Sequence, residues 1–333
     1  MKAVTIFQTE LPTAQEISNK LNAYDLKGVD EEGNPRRPLT CYPCPEKSIA
    51  VFGFTAKNPV VITEQGYCLS FETQSKDIPA KVINTLLQQE TDAIYAANGA
   101  EHYIDKKTIY ELKENILAKL TPRYVATSSY MKAYYHTQSG QLIIDSGKQD
   151  SAQMCVALLR RLLGSIKTTT LHVDDLTNGL TANVKHSLEL DLGLGFEGFS
   201  FGEGLTLLRK VKGEKDSKIV YSGEYDEYSL LDHLQQGYKV TKVELMRDGL
   251  TFTLNEGLQI SGIKLAAGIE TEIMQDVKAQ YGESDRDEAE QMKRDAKFLE
   301  EQTQVELLVG ISKDLVTYFS NTDKSTDESD TNK

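Results

Sequence analysis

At 333 residues, 39% of them hydrophobic, the chain is long enough to bury a large core and to divide into two or three lobes. A formal net charge of −13 excludes a uniformly basic surface, and the lack of any run of 18 apolar residues excludes a membrane-spanning helix. Four cysteines and an opening stretch, MKAVTIFQTELPT, without the character of a signal peptide lead to an expected cytoplasmic location.

In chain order, residues 4–7 read as a strand and 14–26 as a helix, followed by a polar loop to about residue 48. Residues 49–54, 60–63 and 67–71 run apolar or alternate between turn residues, as strands of a meander do. The pattern then changes. Val82, Ile83, Leu86, Leu87, Ile94 and Tyr95 mark one helix that Gly99 breaks, and 106–120 makes a second, with Leu112, Ile116, Leu117 and Leu120 on one face. It stops at Pro122, because the residue before a proline is pushed out of the helical region. Such a helical pair set between strands reads as a projecting lobe. Residues 130–136 and 142–144 form a hairpin about the turn Thr137-Gln138-Ser139-Gly140, and ALLRRLLGS is an amphipathic helix ended by Gly164. From 168 to 219 the pattern reads as short strands and Gly turns, with 186–192 alternating like a half-buried strand. Residues 238–245, 250–254 and 258–265 form a second meander. The end is helical, with Leu308, Ile311, Leu315 and Phe319 on one face, and 321–333, devoid of apolar residues, reads as a disordered tail.

Motifs for catalysis are weak. Gly193, Gly195 and Gly198 fit GxGxxG, yet Phe199-Ser200-Phe201-Gly202 alternates, so no helix can begin there to meet a pyrophosphate; a Gly-rich β-turn is the better reading. Cys41 and Cys44 have CxxC spacing but lie in a loop ahead of a strand. The remaining Cys68, Cys155 and five scattered histidines supply no second half of a zinc site. Asp174-Asp175 and Asp285, Asp287 and Glu288 are acidic groups without a metal triad. No catalytic residue, metal or cofactor is expected, and the chain reads as a non-enzyme.

Basic groups remain. The acid excess is concentrated late, with 17 acidic against 8 basic residues from Glu270 onward. Arg209, Lys210, Lys212, Lys215 and Lys218 crowd ten residues, and Lys106, Lys107, Lys113, Lys119 and Arg123 follow the second helix of the projecting pair. Lys239 and Lys242 lie three apart on one strand, hence on opposite faces. Without interleaved aromatics, such groups can contact phosphates but not stack on bases.

The segment 111–171, with its helix ending in Pro-Arg, hairpin and ALLRRLLGS helix, resembles the RdgC family of recombination-associated DNA-binding proteins. So do 228–264, with the short helix, Gly237 and the strand beginning Val240-Thr241-Lys242, and 285–316, which looks like the family's closing helical pair. The likeness is weakest over the first 75 residues and over 176–222.

The resemblance implies an α+β fold with mixed antiparallel sheets in a central and a base lobe, an inserted helical tip and a ring-forming homodimer. Residues 1–76 and 126–176 would form the central lobe, 77–125 the tip and 177–320 the base with its C-terminal helices. It also implies non-sequence-specific binding of double-stranded DNA threaded through the ring, modulation of RecA-dependent recombination, contact with the RecA filament, no membrane partner and residence on the nucleoid. Residue by residue, Arg123 matches the family's Arg after the helix-ending Pro122. Its tip aromatic is Val125 here, beside Tyr124. Lys242 matches the Lys of the VTK strand. The family's basic residue after the Gly is Tyr238, with Lys239 following. Its basic pair before the 228–236 helix is replaced by Ser222-Gly223, for which Arg209, Lys210 and Lys212 would compensate. Against this stands a second reading, an acidic interaction factor that inhibits a recombination or replication protein without touching DNA.

Overall fold

The computed structural model describes residues 1–28, 37–99, 101–171, 176–190, 195–196, 198–213, 215–223, 226–281 and 286–327. The first part of the chain carries β1 (Ala3–Thr9), α1 (Ala14–Lys27), β2 (Ala50–Phe54), β3 (Val60–Thr63), β4 (Gly66–Ser75), α2 (Ala80–Asn98), α3 (Lys106–Leu120), β5 (Thr127–His136), β6 (Gln141–Ile144), α4 (Gln149–Leu163) and β7 (Thr168–Thr170). The second carries α5 (Leu176–Leu190), β8 (Gly195–Phe196), β9 (Phe199–Arg209), β10 (Ser217–Tyr221), α6 (Glu227–Gln235), β11 (Lys239–Arg247), β12 (Leu250–Asn255), β13 (Ile260–Leu265), α7 (Ala267–Tyr281) and α8 (Arg286–Asp327).

Among the described residues the strands join into one sheet, ordered β10-β9-β11-β12-β13-β1-β6-β5-β4-β2, with every registered strand pair antiparallel. Mixed helix and antiparallel sheet is the expected α+β class. The two halves of the sheet meet only at β1 and β13, through the pairs Ala3↔Ser261 and Val4↔Ile260.

Local chemistry explains the helix bounds. The Thr13 hydroxyl accepts from the Glu16 N–H at 3.3 Å while the Thr13 N–H donates to the Glu16 carboxylate at 3.0 Å, a capping box that starts α1. Asp105 caps α3 by accepting from the Thr108 N–H at 2.8 Å, and α3 passes into a 3₁₀ turn, Thr121–Arg123, that holds Pro122. The helical pair α2 and α3 stands where the sequence places it, and α2 has no fully buried residue.

Two cores lie on opposite faces of the sheet. Phe54, Phe71, Leu142, Ile144 and Tyr135 pack under α1 and α4. Leu205, Val240, Leu245, Phe252, Leu254 and Ile260 pack under α5, α6, α7 and α8, and this core reaches across to Ile6, Tyr134 and Ile143 of the first half. Each such large apolar side chain contributes about 1.5–3 kcal/mol on burial. α8 is pinned to the first half by Glu301, whose buried carboxylate accepts from Lys132 Nζ and from the Tyr134 hydroxyl, both at 2.5 Å.

Three expectations fail. The stretch 168–219 holds the short strands β7 to β10 as expected, but the strand read at 186–192 is absent, because α5 occupies Leu176–Leu190. The alternation at 186–192 is the tail of a longer pattern in which Leu176, Leu180 and Val184 recur every fourth residue and are all buried. Residues 285–316 do not form a helical pair: 286–327 is one helix, whose antiparallel companion is α7. That helix also continues through the first seven residues of the tail expected to be disordered. No Pro or Gly interrupts them, and extending a formed helix costs little. Residues 328–333 fall outside the described set.

Candidate nucleic-acid interface

Strands β9 to β13 bury one face under helices, and among the described residues no helix covers the other. The sequence writes this as period-two alternation: Leu250, Phe252 and Leu254 are buried, while Thr251, Thr253 and Asn255 between them are half-exposed. Lys264 lies between buried Ile263 and Leu265 and so points to the open face.

The two lysines of β11 require a different argument. Three residues apart on a regular strand they would face opposite ways, yet both are exposed. Pairing with β9 runs Lys239↔Leu208, Val240↔Leu207, then Lys242↔Thr206 and Val243↔Leu205, so Thr241 is an extra residue with no partner in the register. This β-bulge turns the strand by one residue, so Val240 and Val243 both go to the core and Lys242 lies on the open face, while Lys239, exposed at the start of β11, reaches Asn178 of α5. Lys218 of β10 pairs with the same Leu208, which places it on that face as well. The signal for this turn lies in the partner strand's register, which β11 alone does not contain.

Lys210, Lys212 and Lys215 are exposed in the turn joining β9 to β10. Lys239 Nζ donates to Asn178 Oδ1 at 2.7 Å. For Lys210, Lys212, Lys215, Lys218, Lys242 and Lys264 no ion-pair or hydrogen-bond partner of the ammonium is found among the described residues. The acid nearest them on β11, Glu244, lies over Gly202 and Gly204 and accepts from the Glu203 N–H at 3.1 Å. A side chain on Gly202 would place its Cβ 2.4 Å from the Glu244 carboxylate, which would then have to swing aside.

Arg209 does not join this group. Its guanidinium stacks over the Tyr238 ring at 5.0 Å, its Nη1 donates to the Gln236 carbonyl at 3.5 Å, and its Nε is buried without a partner. Arg123 is exposed, with Pro122 beside it, in the 3₁₀ turn at the foot of the helical pair; Tyr124 is half-buried and Val125 is 86% exposed. The strand that follows them, β5, lies six strands from β9, a separation on the order of 30 Å at the usual spacing. The sequence-derived set therefore divides into a lysine face and a distant tip, and Lys218 and Lys264 join the former.

The other motifs are placed as follows. Burial above all holds the Cys41 thiol above its ordinary pKa, while Cys44 Sγ lies 3.3 Å from the Ser48 carbonyl; both are free. Gly195 and Gly198 flank the short β8 and the start of β9, so a strand follows the glycines as expected, whereas the element before them is helix α5 and not a strand. Gly193, Asp174, Asp175 and Asp285 lie outside the described residues. Among the described residues no group of three or more His, Cys, Asp or Glu side chains stands together to hold a metal ion. No helix among them is long and apolar enough to cross a membrane.

Residues 37–319 match the family model described as "Putative exonuclease, RdgC". The chain belongs to the RdgC family. Among curated proteins it is similar to the recombination-associated protein RdgC of Pseudoalteromonas translucida, 28% identical over 61% of this chain and 66% of that protein. It is 24% identical to that of Pseudoalteromonas atlantica over 67% of this chain and 73% of that one. The RdgC protein of Tolumonas auensis is 26% identical over 67% of this chain and 74% of its own length. The alignment with the first relative thus spans just under two-thirds of that protein. The resemblance seen in the sequence is confirmed at family level.

Proposed function

We propose that this RdgC-family chain binds duplex DNA without sequence preference and that the open face of β9–β13 meets the phosphates. One observation carries the reading: three lysines, Lys218, Lys242 and Lys264, are brought from three strands onto one uncovered sheet face. Lysines on a pleated surface offer point charges to a phosphate backbone and no fixed hydrogen-bond pattern for base edges, which suits affinity without readout. The relatives' shared name supports a role in recombination. The proposed assembly is a homodimer closed into a ring around DNA, held at the exposed tip about Pro122, Tyr124 and Val125 and at the opposite end of the sheet. Two self-complementary ends suffice for such closure. In this reading the protein acts by occupying DNA on the nucleoid and restraining RecA, without cutting it. An acidic surface inhibiting a protein partner is the second reading, favoured by the net charge of −13.

The test is a titration of a random-sequence duplex with the purified protein at about 50 and 200 mM salt, followed by fluorescence anisotropy. Neutralising six to ten phosphates gives a roughly thousand-fold or greater loss of affinity over that range. Tight binding at low salt with that loss, equal for unrelated sequences, is the expected result. No binding at low salt sinks the duplex reading and favours the protein-partner one.

A further inference from the structure

A second cationic site lies on the other side of the sheet, in the first half of the molecule. The N-terminal part of α8 passes over β3, β4 and β5 and leaves a groove of about 400 Å³. Its floor is β4, with Cys68 and Ser70 registered opposite Tyr134 and Lys132. Tyr130, Lys132 and Tyr134 alternate along β5 and so share the face beneath α8. Tyr130 is 71% exposed although it lines the groove, and Phe298 of α8, beside Tyr134, lines it too. Lys132 Nζ stands 5.3 Å from the Phe298 ring centroid.

The rim carries charge. Lys57, in the turn between β2 and β3, and Arg294 of α8 are both exposed, and neither has an ion pair among the described residues. The one acid lining the groove, Asp295, is engaged: one carboxylate oxygen accepts from the Tyr281 hydroxyl and the other from Gln291 Nε2 at 2.8 Å. Glu72, next along β4, is likewise held, accepting from Ser128 Oγ at 2.7 Å and from Gln74 Nε2 at 3.2 Å. The groove thus presents aromatic and apolar surface at its centre and two uncommitted cations at its edge.

We propose that this groove binds a single nucleotide unit, its base against Tyr130 and Phe298 and its phosphate on Lys57 and Arg294. Flat aromatic surface flanked by cations is the combination that takes an unpaired base with its phosphate, since every base has a face to stack and every phosphate a charge to pair. A volume of about 400 Å³ falls at the lower end for small-molecule sites and fits one such unit. The groove lies on the helix-covered side, away from the lysine face, and does not depend on the duplex reading. No stretch of sequence shows it, because its parts come from residues 57, 130 and 294–298. The source of the base is either a free nucleotide or an unpaired position in a strand.

The experiment uses dAMP and deoxyadenosine by calorimetry, and a fluorescein-labelled single strand of about 12 nucleotides by anisotropy. The wild-type protein is expected to bind dAMP saturably and deoxyadenosine more weakly. Tyr130→Ala weakens dAMP by roughly 5- to 150-fold, the span seen when one stacking aromatic is removed, and Tyr130→Phe restores it. Lys57→Glu with Arg294→Glu removes the preference for dAMP over deoxyadenosine. All three positions are exposed, and an unchanged thermal midpoint confirms the fold. A strand that binds more tightly than dAMP assigns the groove to unpaired bases, and dAMP binding with which the strand does not compete assigns it to free nucleotide; either supports the site. Absence of saturable binding of both probes, or equal affinity in Tyr130→Ala and wild type, overturns it. Duplex affinity is expected to be unchanged in Tyr130→Ala, so the two readings fail separately.

Discussion

The two halves of the sheet solve the same folding problem differently. In the first half, β6 is covered on both faces, and Gln141, Leu142, Ile143 and Ile144 are all buried, giving an unbroken apolar run. In the second half, β12 is covered on one face only and alternates buried with half-exposed residues from Leu250 to Asn255. The first arrangement leaves no surface on β6, so interaction there is confined to the edges, the exposed start of β5, the groove under α8 and the helical pair. The second gives up a layer of packing and gains an open, pleated, lysine-bearing plane. What the difference teaches is that the surface available for a large anionic partner is set by the missing helix layer, not by overall charge.

The comparison can be broken most directly by truncating matched residues. Ile144→Ala, on the face under α1 and α4, is expected to cost about 2–5 kcal/mol, whereas Thr253→Ala on the corresponding open face should stay within roughly 0.5 kcal/mol. Urea unfolding of both variants checks this, and equal costs would mean the open face is covered. A smaller effect is expected from Lys218→Glu with Lys242→Glu, which should lower duplex affinity about tenfold or more and reduce the salt slope by roughly two phosphates. Their urea midpoint should not move; unchanged affinity would exclude this face as the contact surface. The smallest effect concerns Asp145, just after β6, whose carboxyl is held above its ordinary pKa chiefly by burial. A carboxyl raised in the folded state favours folding most when protonated. Its contribution is fully present below the unfolded value and is lost as pH rises through the folded one. Asp145→Asn is therefore expected to be more stable than wild type at about pH 7, with the gain shrinking to nothing towards about pH 3, where both side chains are uncharged. Thermal unfolding across that range measures it, and a loss of stability at neutral pH would contradict it.

Elements with complete local signals were legible from sequence. Helix 106–120 was bounded correctly, yet not because Pro122 expels the preceding residue, since Thr121 keeps helical φ and ψ and the helix tightens into a 3₁₀ turn that runs through the proline. Strand β12 was recognised because its alternation fits one covered face. α5 was misread because 186–192 is too short a window to separate period two from period 3.6, and its decisive residues, Leu176, Leu180 and Val184, lie upstream. The site was legible only in part. Lys239 and Lys242 stood out by charge, but where each goes depends on an unpaired Thr241 that only β9 reveals and on Asn178 of α5. Arg209 looked like a surface cation, and the Tyr238 ring that holds it lies nearly thirty residues later. Neither the groove under α8 nor the Glu301 clamp could be read from a linear pattern, since each joins residues more than 160 positions apart.

The narrow seam at β1 has a consequence for how the chain is made. β1 pairs with β6 on one side, and on the other meets β13 through only Ala3 and Val4. β13 leaves the ribosome roughly 120 residues after β6, which at about 5–20 residues per second is a wait on the order of 6–24 seconds. During synthesis the core under α1 and α4 can close first, while the face with Ile6, Tyr134 and Ile143 waits for α8 and the stretch of β1 at residues 3–4 stands as an open edge, a template for any nascent strand nearby. Its short length keeps that exposure small. The two residue pairs of the seam and the core beneath α8 are then the last parts to join.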